Sequence, residues 1–478
     1  MSRETTLAKN TIIMSIGTIL PKLSMLITLP IITAKLTQAE YGTYDLISTL
    51  VSLFLPVATL QVQTAAFRFL IDCNDDKTKR NRVITNVLLF VTVSSVISLS
   101  VLYFALYKLS FEVRILICAY FFSDILFLTL VQVVRGLSRP MLYSLCTSVQ
   151  PIVNMLLVIL MVYYIDGGLI GALIAMTGST IVALFIVLAK GHIISKIDFR
   201  LVSKSMLKEL ISYSWPMIPN SLSLWLLNFS DRLVLLNFMG INANAVYGVA
   251  NKIPSMYSLA NSAFTQAWQE NASLNSKDED VSVYYGKMFD NILRILSGIM
   301  AMLIAAMPVL FIILIRGDYG RQAYCQMPIL MMAMFFSSMS SFLGGIYIAH
   351  KKTKSVGGTT IIAAVINLVV DLLLVKSVGI YAASVSTLVA YMFLAVYRMR
   401  NVLNFQYIKY NYANIFGYIL FLVIMCILSW FNKLPLNLLN IVLGILFAVY
   451  INRELIKKMI VMGKEKIAKK RENGVKHG

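Results

Sequence analysis

The chain is a succession of apolar runs, each about 20 to 25 residues long and separated by short polar stretches. Nothing else in it limits the fold so strongly. A hydrocarbon environment offers backbone N–H and C=O groups no water to bond, so a spanning segment must close its hydrogen bonds as a helix or in a closed barrel. At about 1.5 Å per residue, runs of this length cross a core of roughly 30 Å as helices; the short alternating segments of a membrane barrel are missing. Composition agrees, with 58% of the 478 residues hydrophobic and 13% charged, and a mean hydropathy of +0.77. The expected fold is an all-α integral membrane protein. The first run, Thr11 to Thr33, is too long for the apolar region of a signal peptide and lacks a small-x-small cleavage pattern, so it reads as a retained first helix.

Cutting at charge clusters, Gly, Pro and Asn gives about fourteen spans, an even number that puts both termini on one side. Basic residues then separate by loop. One set of loops holds Lys77, Lys79, Arg80 and Arg82, then Arg135 and Arg139, the cluster from Lys190 to Lys208, Lys351 to Lys354, and Arg398, Arg400 and Lys409. With the termini added the division is about thirty against six, which by the positive-inside rule puts both termini in the cytoplasm of a plasma-membrane protein. The net charge of +20 therefore points to anionic lipid headgroups as partners rather than nucleic acid. Five scattered cysteines show neither metal spacing nor a disulfide framework.

The chain also repeats itself. Tyr41-Gly42 is echoed by Tyr247-Gly248, and Asn154 with Gly168-Leu169-Ile170-Gly171-Ala172 by Asn367 with Gly379-Ile380-Tyr381-Ala382-Ala383, at offsets of roughly 206 to 213 residues. A duplicated bundle of six helices is expected: residues 1–195 as an N-terminal lobe, 196–405 as a C-terminal lobe, 406–452 as an appended helix pair, and 453–478 as a basic cytoplasmic tail. An even number of helices per repeat relates the lobes by a pseudo-two-fold axis along the membrane normal. Two such lobes rocking about a central site are the architecture of a transporter.

Enzymatic chemistry finds little support. His192, His350 and His477 lie in loops or the tail, and no long external loop exists to carry catalytic groups, so no catalytic residue and no resident cofactor are expected. What remains is charge inside apolar runs, which is costly and tends to face a wet cavity. Lys22, Arg68, Arg232 and Lys252 form the cationic set. Read functionally they suit an anionic, diphosphate-bearing substrate, with Arg as bidentate clamp and Lys as point charge. Read structurally, Asp231 or Asp45 neutralises Arg232 and Lys252, and Arg68 stretches to the headgroups. A second set is Asp231, Asn367 and Asp371, the last two sharing one helical face. Two carboxylates and an amide can coordinate Na⁺ or share a proton; the alternatives are salt bridges and an interhelical hydrogen bond. Trp215 and Trp268 read as interfacial anchors, while mid-helix Trp225 serves either packing or sugar stacking.

Several segments resemble one family. Asn10, Gly17, Pro30 and Glu40-Tyr41-Gly42-Thr43-Tyr44 are similar to the start of the bacterial polysaccharide-repeat-unit flippases of the multidrug/oligosaccharidyl-lipid/polysaccharide exporter superfamily. Tyr213-Ser214-Trp215-Pro216-Met217-Ile218-Pro219, Ser230-Asp231-Arg232 and Asn251-Lys252-Ile253 resemble its helix 7 to 8 segment, and Asn367 with Gly379 to Ala383 its helix 11 to 12 segment. The resemblance implies a flippase that moves an undecaprenyl-diphosphate-linked oligosaccharide from the inner to the outer leaflet for surface polysaccharide synthesis. It further implies a cationic cavity between two lobes, a last helix pair shaping a groove for the polyprenyl tail, and association with other polysaccharide-assembly membrane proteins. Two other readings stand beside it. A cation-coupled multidrug exporter of the same superfamily would be expected to carry a membrane acid in its first lobe, where this chain offers Lys22; a glycan polymerase or ligase would be expected to need the external loop that is missing.

Overall fold

Short polar residues stand where helices begin and satisfy the amides that a first turn leaves open. The Thr37 hydroxyl accepts from the Glu40 amide while the Glu40 carboxylate accepts from the Thr37 amide at 2.9 Å, a reciprocal capping box. Asp76 accepts from the Lys79 amide at 3.0 Å in the same role. The structure is a computed structural model describing residues 23–73, 76–107, 109–275, 280–455 and 457. Lys22 and the tail beyond residue 457 lie outside the described residues.

In chain order the helices are α1 (Leu23–Lys35), α2 (Gln38–Ala58), α3 (Val62–Asp72), α4 (Lys77–Ala105), α5 (Phe111–Gly136), α6 (Pro140–Val158), α7 (Gly168–Gly191), α8 (Lys204–Ser214), α9 (Ile218–Met239), α10 (Ile241–Ala250), α11 (Lys252–Leu274), α12 (Val281–Leu314), α13 (Gly320–Ala349), α14 (Thr353–Val378), α15 (Tyr381–Val402), α16 (Tyr412–Trp430) and α17 (Leu434–Ile451). No strand occurs among the described residues, and 11 helices are long and apolar enough to cross a membrane. This is a multi-pass, all-α membrane protein. α9 and α11 have the length, at 22 and 23 residues, but are not among those 11, because polar side chains lower their hydropathy.

The run after Tyr44 reads in sequence as one helix, yet the structure interrupts it. Pro56 lies in the last turn of α2, and Leu60 and Gln61 take left-handed φ values of 46° and 58° before α3 resumes. Polar side chains cover the gap: Thr59 returns its hydroxyl to the Leu55 carbonyl at 2.8 Å, and the Gln61 amide donates to Ser221 at 2.9 Å. A break at membrane depth persists because protein groups replace the missing ladder.

By spatial contact the chain divides into two compact units. The first comprises residues 1–249, 313–319 and 374–380; the second comprises 250–312, 320–373 and 381–478. Contact therefore groups α9 and α10 with the helices before them, whereas the sequence repeat describes ancestry rather than contact. Within the first unit α5 is central, packing on α7, α3 and α4 through Phe121, Ile125 and Val133, all essentially inaccessible. Within the second, α13 holds the same place, packing on α15, α11 and α16. Helices that correspond by repeat thus have corresponding neighbours: α5 with α7 and α3, α13 with α15 and α11.

Candidate functional site

The echoed Tyr-Gly pairs bring two helices of the first unit into close approach. A Cβ on Gly42 of α2 would stand 2.5 Å from the Ile241 carbonyl of α10, and one on Gly248 of α10 would stand 2.6 Å from Asp45 Oδ2 of α2. At Gly42 only a residue without a side chain lets the two backbones meet at this distance, and at Gly248 it leaves room for the Asp45 carboxylate. The Asn244 amide, donating to the Gly42 carbonyl at 3.3 Å, adds a bond across the same seam.

Where α9 joins that seam, Asp45 and Arg232 form an ion pair through Oδ2 and Nη1. Both are buried, at 2% and 7% relative exposure, so the pair is shielded from solvent and counter-ions. Arg232 Nη1 also donates to Thr49 Oγ1 at 2.6 Å, and the guanidinium stands 5.5 Å from the Phe229 ring centroid. Trp225, two turns earlier on α9, donates Nε1 to the Thr49 carbonyl at 3.1 Å and to Ser52 Oγ at 3.0 Å. Its ring is packed, not presented to a sugar. Adjacent positions on a helix point about 100° apart, and Asp231 accordingly turns the other way, accepting from the Tyr247 hydroxyl at 2.6 Å. The Tyr of the second Tyr-Gly pair thus holds one of the two acids that the sequence offers as candidates for ion coupling.

The remaining candidates lie on other helices. Arg68, about half exposed on α3, pairs with Asp72 one turn along at 2.8 Å, a geometry that a surface arginine adopts without any ligand. Lys252 is half-buried at the start of α11, in the second unit. Asn367 and Asp371 are fully buried one turn apart on α14, and the Asn367 amide donates to Thr387 Oγ1 of α15 at 3.4 Å. Asp231 belongs to the first unit, Asn367 and Asp371 to the second. Trp268 differs from its expected place at an interface: it is 3% exposed, donates to the Phe342 carbonyl at 2.8 Å and stacks on the Phe342 ring. Gly345 makes room for it, since a Cβ there would meet its ring at 2.6 Å.

One buried cation escapes the sequence reading. Arg398 of α15 is 4% exposed and is held by neutral groups: Nε donates to Thr359 Oγ1 at 3.1 Å, Nη1 to the Ser340 carbonyl at 2.9 Å, and Nη2 to the Val356 carbonyl, Thr359 Oγ1 and Thr360 Oγ1 at 3.0 to 3.1 Å. It ties α15 to α13 and α14, and no carboxylate among the described residues pairs with it. A signal existed in the sequence. Tyr391, Leu394, Ala395, Arg398 and Val402 recur at helical spacing and all are buried, so Arg398 lies on the core face of its helix.

Comparison with known proteins now bears on this geometry. A family model described as "Polysaccharide biosynthesis protein" matches residues 7–268. Among solved structures, the lipid II flippase MurJ in an inward closed conformation aligns with a TM-score of 0.69 at 15% identity, over 94% of this chain and 100% of that one. An inward-facing multidrug resistance MATE family transporter of the MOP superfamily aligns with a TM-score of 0.62 at 16% identity, over 79% and 97%. A MOP superfamily transporter from Pyrococcus furiosus, described as having a binding pocket of reversed polarity, aligns with a TM-score of 0.59 at 14% identity, over 83% and 95%. At such identities the likeness establishes the fold. No curated protein matches the chain.

Proposed function

The chain belongs to the polysaccharide biosynthesis protein family, and from that premise we propose that it is a flippase for an undecaprenyl-diphosphate-linked oligosaccharide repeat unit. The unit would pass from the cytoplasmic to the outer leaflet of the plasma membrane by alternating access, with both termini in the cytoplasm. The observation that carries this reading is the buried Asp45–Arg232 pair. A guanidinium inside the membrane, held by one carboxylate through Nη1 alone, can exchange that carboxylate for a diphosphate, which carries more charge and can engage two N–H groups at once. Lys22, Arg68 and Lys252 complete the proposed cationic set.

A second feature accommodates the lipid. An apolar cleft of about 670 Å³ runs between α12 and α17, lined by residues including Ile295, Gly298, Met302, Ile445 and Val449, with Asn452 also in its wall. A polyprenyl chain lying there would remain in an apolar medium while only the sugars and diphosphate cross, avoiding the large cost of moving a hydrophilic head through hydrocarbon. Asp231, Asn367 and Asp371 are the proposed groups for Na⁺ or H⁺ coupling. Anionic lipids and other polysaccharide-assembly proteins are the proposed partners.

The test is reconstitution. Purified protein in liposomes is expected to expose a lipid-linked oligosaccharide added to one leaflet to a membrane-impermeant enzyme on the other, and Arg232→Gln to abolish this. Absence of translocation by the wild-type protein, together with intact surface polysaccharide in a deletion strain, would sink the proposal. Extrusion of lipophilic cations by the same vesicles would favour the multidrug reading of the fold instead.

A further inference from the structure

A cavity of about 530 Å³ in the second unit has no part in the proposed transport. It is lined by Val283, Gly286, Lys287 and Asp290 of α12 and by Lys409, Tyr410, Asn411 and Tyr412, where the chain enters α16. Its walls are built in. A Cβ on Gly286 would stand 2.8 Å from the Lys409 carbonyl, so glycine lets the connecting segment lie directly on α12. Gln406 donates to Ser282 Oγ at 3.1 Å, and the Tyr410 ring packs edge-on against Phe289 with centroids 5.3 Å apart.

The charges here are of both signs: Lys287 and Lys409 are exposed at the rim, Asp290 is half-buried, and Arg294, one turn along α12, acts on Asp290 from beyond ion-pair distance. Lys287 and Asp290 are three apart on one helix, a spacing at which opposite charges commonly pair. Yet among the described residues neither Lys287, Lys409 nor Asp290 has an ion-pair partner within 4.0 Å, and Asp290 Oδ1 is buried without a hydrogen bond. Water solvates the exposed lysines and Arg294 reaches Asp290 only at a distance, so the local want is a donor at Asp290 Oδ1 with an anion beside the two lysines. A ligand with a phosphate and a primary ammonium a few bonds apart supplies both.

We propose that this cavity binds the phosphoethanolamine headgroup of a membrane phospholipid, with the phosphate at Lys287 and Lys409 and the ammonium at Asp290. The amide end of α16 adds favourable potential at the phosphate. Tyr407 and Tyr412, exposed at 66% and 62%, mark a membrane–water boundary of the kind aromatic belts occupy. From Tyr412 onward α16 is strongly apolar, and Phe416 is 68% exposed, offering a surface along which acyl chains can lie. These features select a lipid over free phosphoethanolamine. The proposal does not depend on what the protein transports.

Native mass spectrometry of the delipidated full chain in detergent, titrated with phosphatidylethanolamine, phosphatidylcholine or phosphatidylglycerol of identical chains, tests it. Wild type is expected to retain the ethanolamine lipid about tenfold more tightly than either competitor, since a quaternary ammonium has no N–H to donate and glycerol carries no cation. Asp290→Asn is expected to bring ethanolamine and choline lipids to parity, and Lys287→Ala with Lys409→Ala to weaken all of them, with melting temperatures unchanged. Equal retention of the three lipids by wild type would overturn the proposal, as would an ethanolamine preference that survives Asp290→Asn. Displacement of the lipid by millimolar free phosphoethanolamine would overturn the lipid assignment.

Discussion

Arg232 and Arg398 are both arginines in helices of a membrane protein, both buried, and they are kept there by opposite means. Arg232 has a carboxylate and a hydroxyl, both from α2. Arg398 has two carbonyls and two hydroxyls from α13 and α14 and, among the described residues, no acid. An ion pair concentrates the compensation in one partner that another anion can replace. A cage of neutral acceptors spreads it over two helices, and no single ligand can substitute for it. Under the proposed function Arg232 is the group that would change partners, whereas Arg398 holds helices together.

The largest effect is expected where the comparison is sharpest. Arg232→Gln breaks the buried Asp45–Arg232 pair and should cost about 3–5 kcal/mol of stability, read as a lowered melting temperature in detergent, together with loss of translocation. Adding Asp45→Asn should recover most of the stability and none of the transport. A double variant no more stable than the single one would show that the two charges are not coupled, and the comparison would break.

Arg398→Met should destabilise by roughly 2–4 kcal/mol through the acceptors it orphans, with no acid-to-amide change able to rescue it. Arg398→Lys should recover part of the loss, since an ammonium fills fewer of the directions that a guanidinium reaches. If Arg398→Met melted like wild type but failed to transport, Arg398 would belong with Arg232. Next, Gly248→Ala forces a Cβ against Asp45 and should cost about 1–3 kcal/mol, a smaller loss because α2 and α10 can separate slightly. Smallest is Arg68→Ala, whose exposed i, i+4 pair predicts a change within about 0.5 kcal/mol. A large loss of transport in that variant, at unchanged stability, would restore Arg68 to the cationic set.

Much of the architecture is legible in the sequence. The long runs become helices, and the repeat recurs as packing, α5 in one unit answering α13 in the other. The sequence offers Asp231 or Asp45 as the acid neutralising Arg232 and Lys252, and the structure pairs Arg232 with Asp45, 187 residues away. What misled was local. Pro56, Leu60 and Gln61 interrupt a run that hydropathy shows as continuous, because hydropathy averages over the residues that carry the break. Trp268 sits where an interfacial anchor would, but its ring is taken up by Phe342. Arg398 reads as one more basic residue beside a loop, since proximity to a helix end says nothing about which face it occupies.

The sequence by itself determined that this chain lives in a membrane as helices, that it is built from a duplicated unit, and where charge enters the apolar runs. These follow from sums along the chain: transfer free energy per residue, hydrogen bonds closed within a segment, and spacing. The tertiary structure alone decided which charges are paired, which are caged and which line an open cavity. Charge compensation acts over a few ångströms in space between residues far apart in sequence, and no sum along the chain contains that distance.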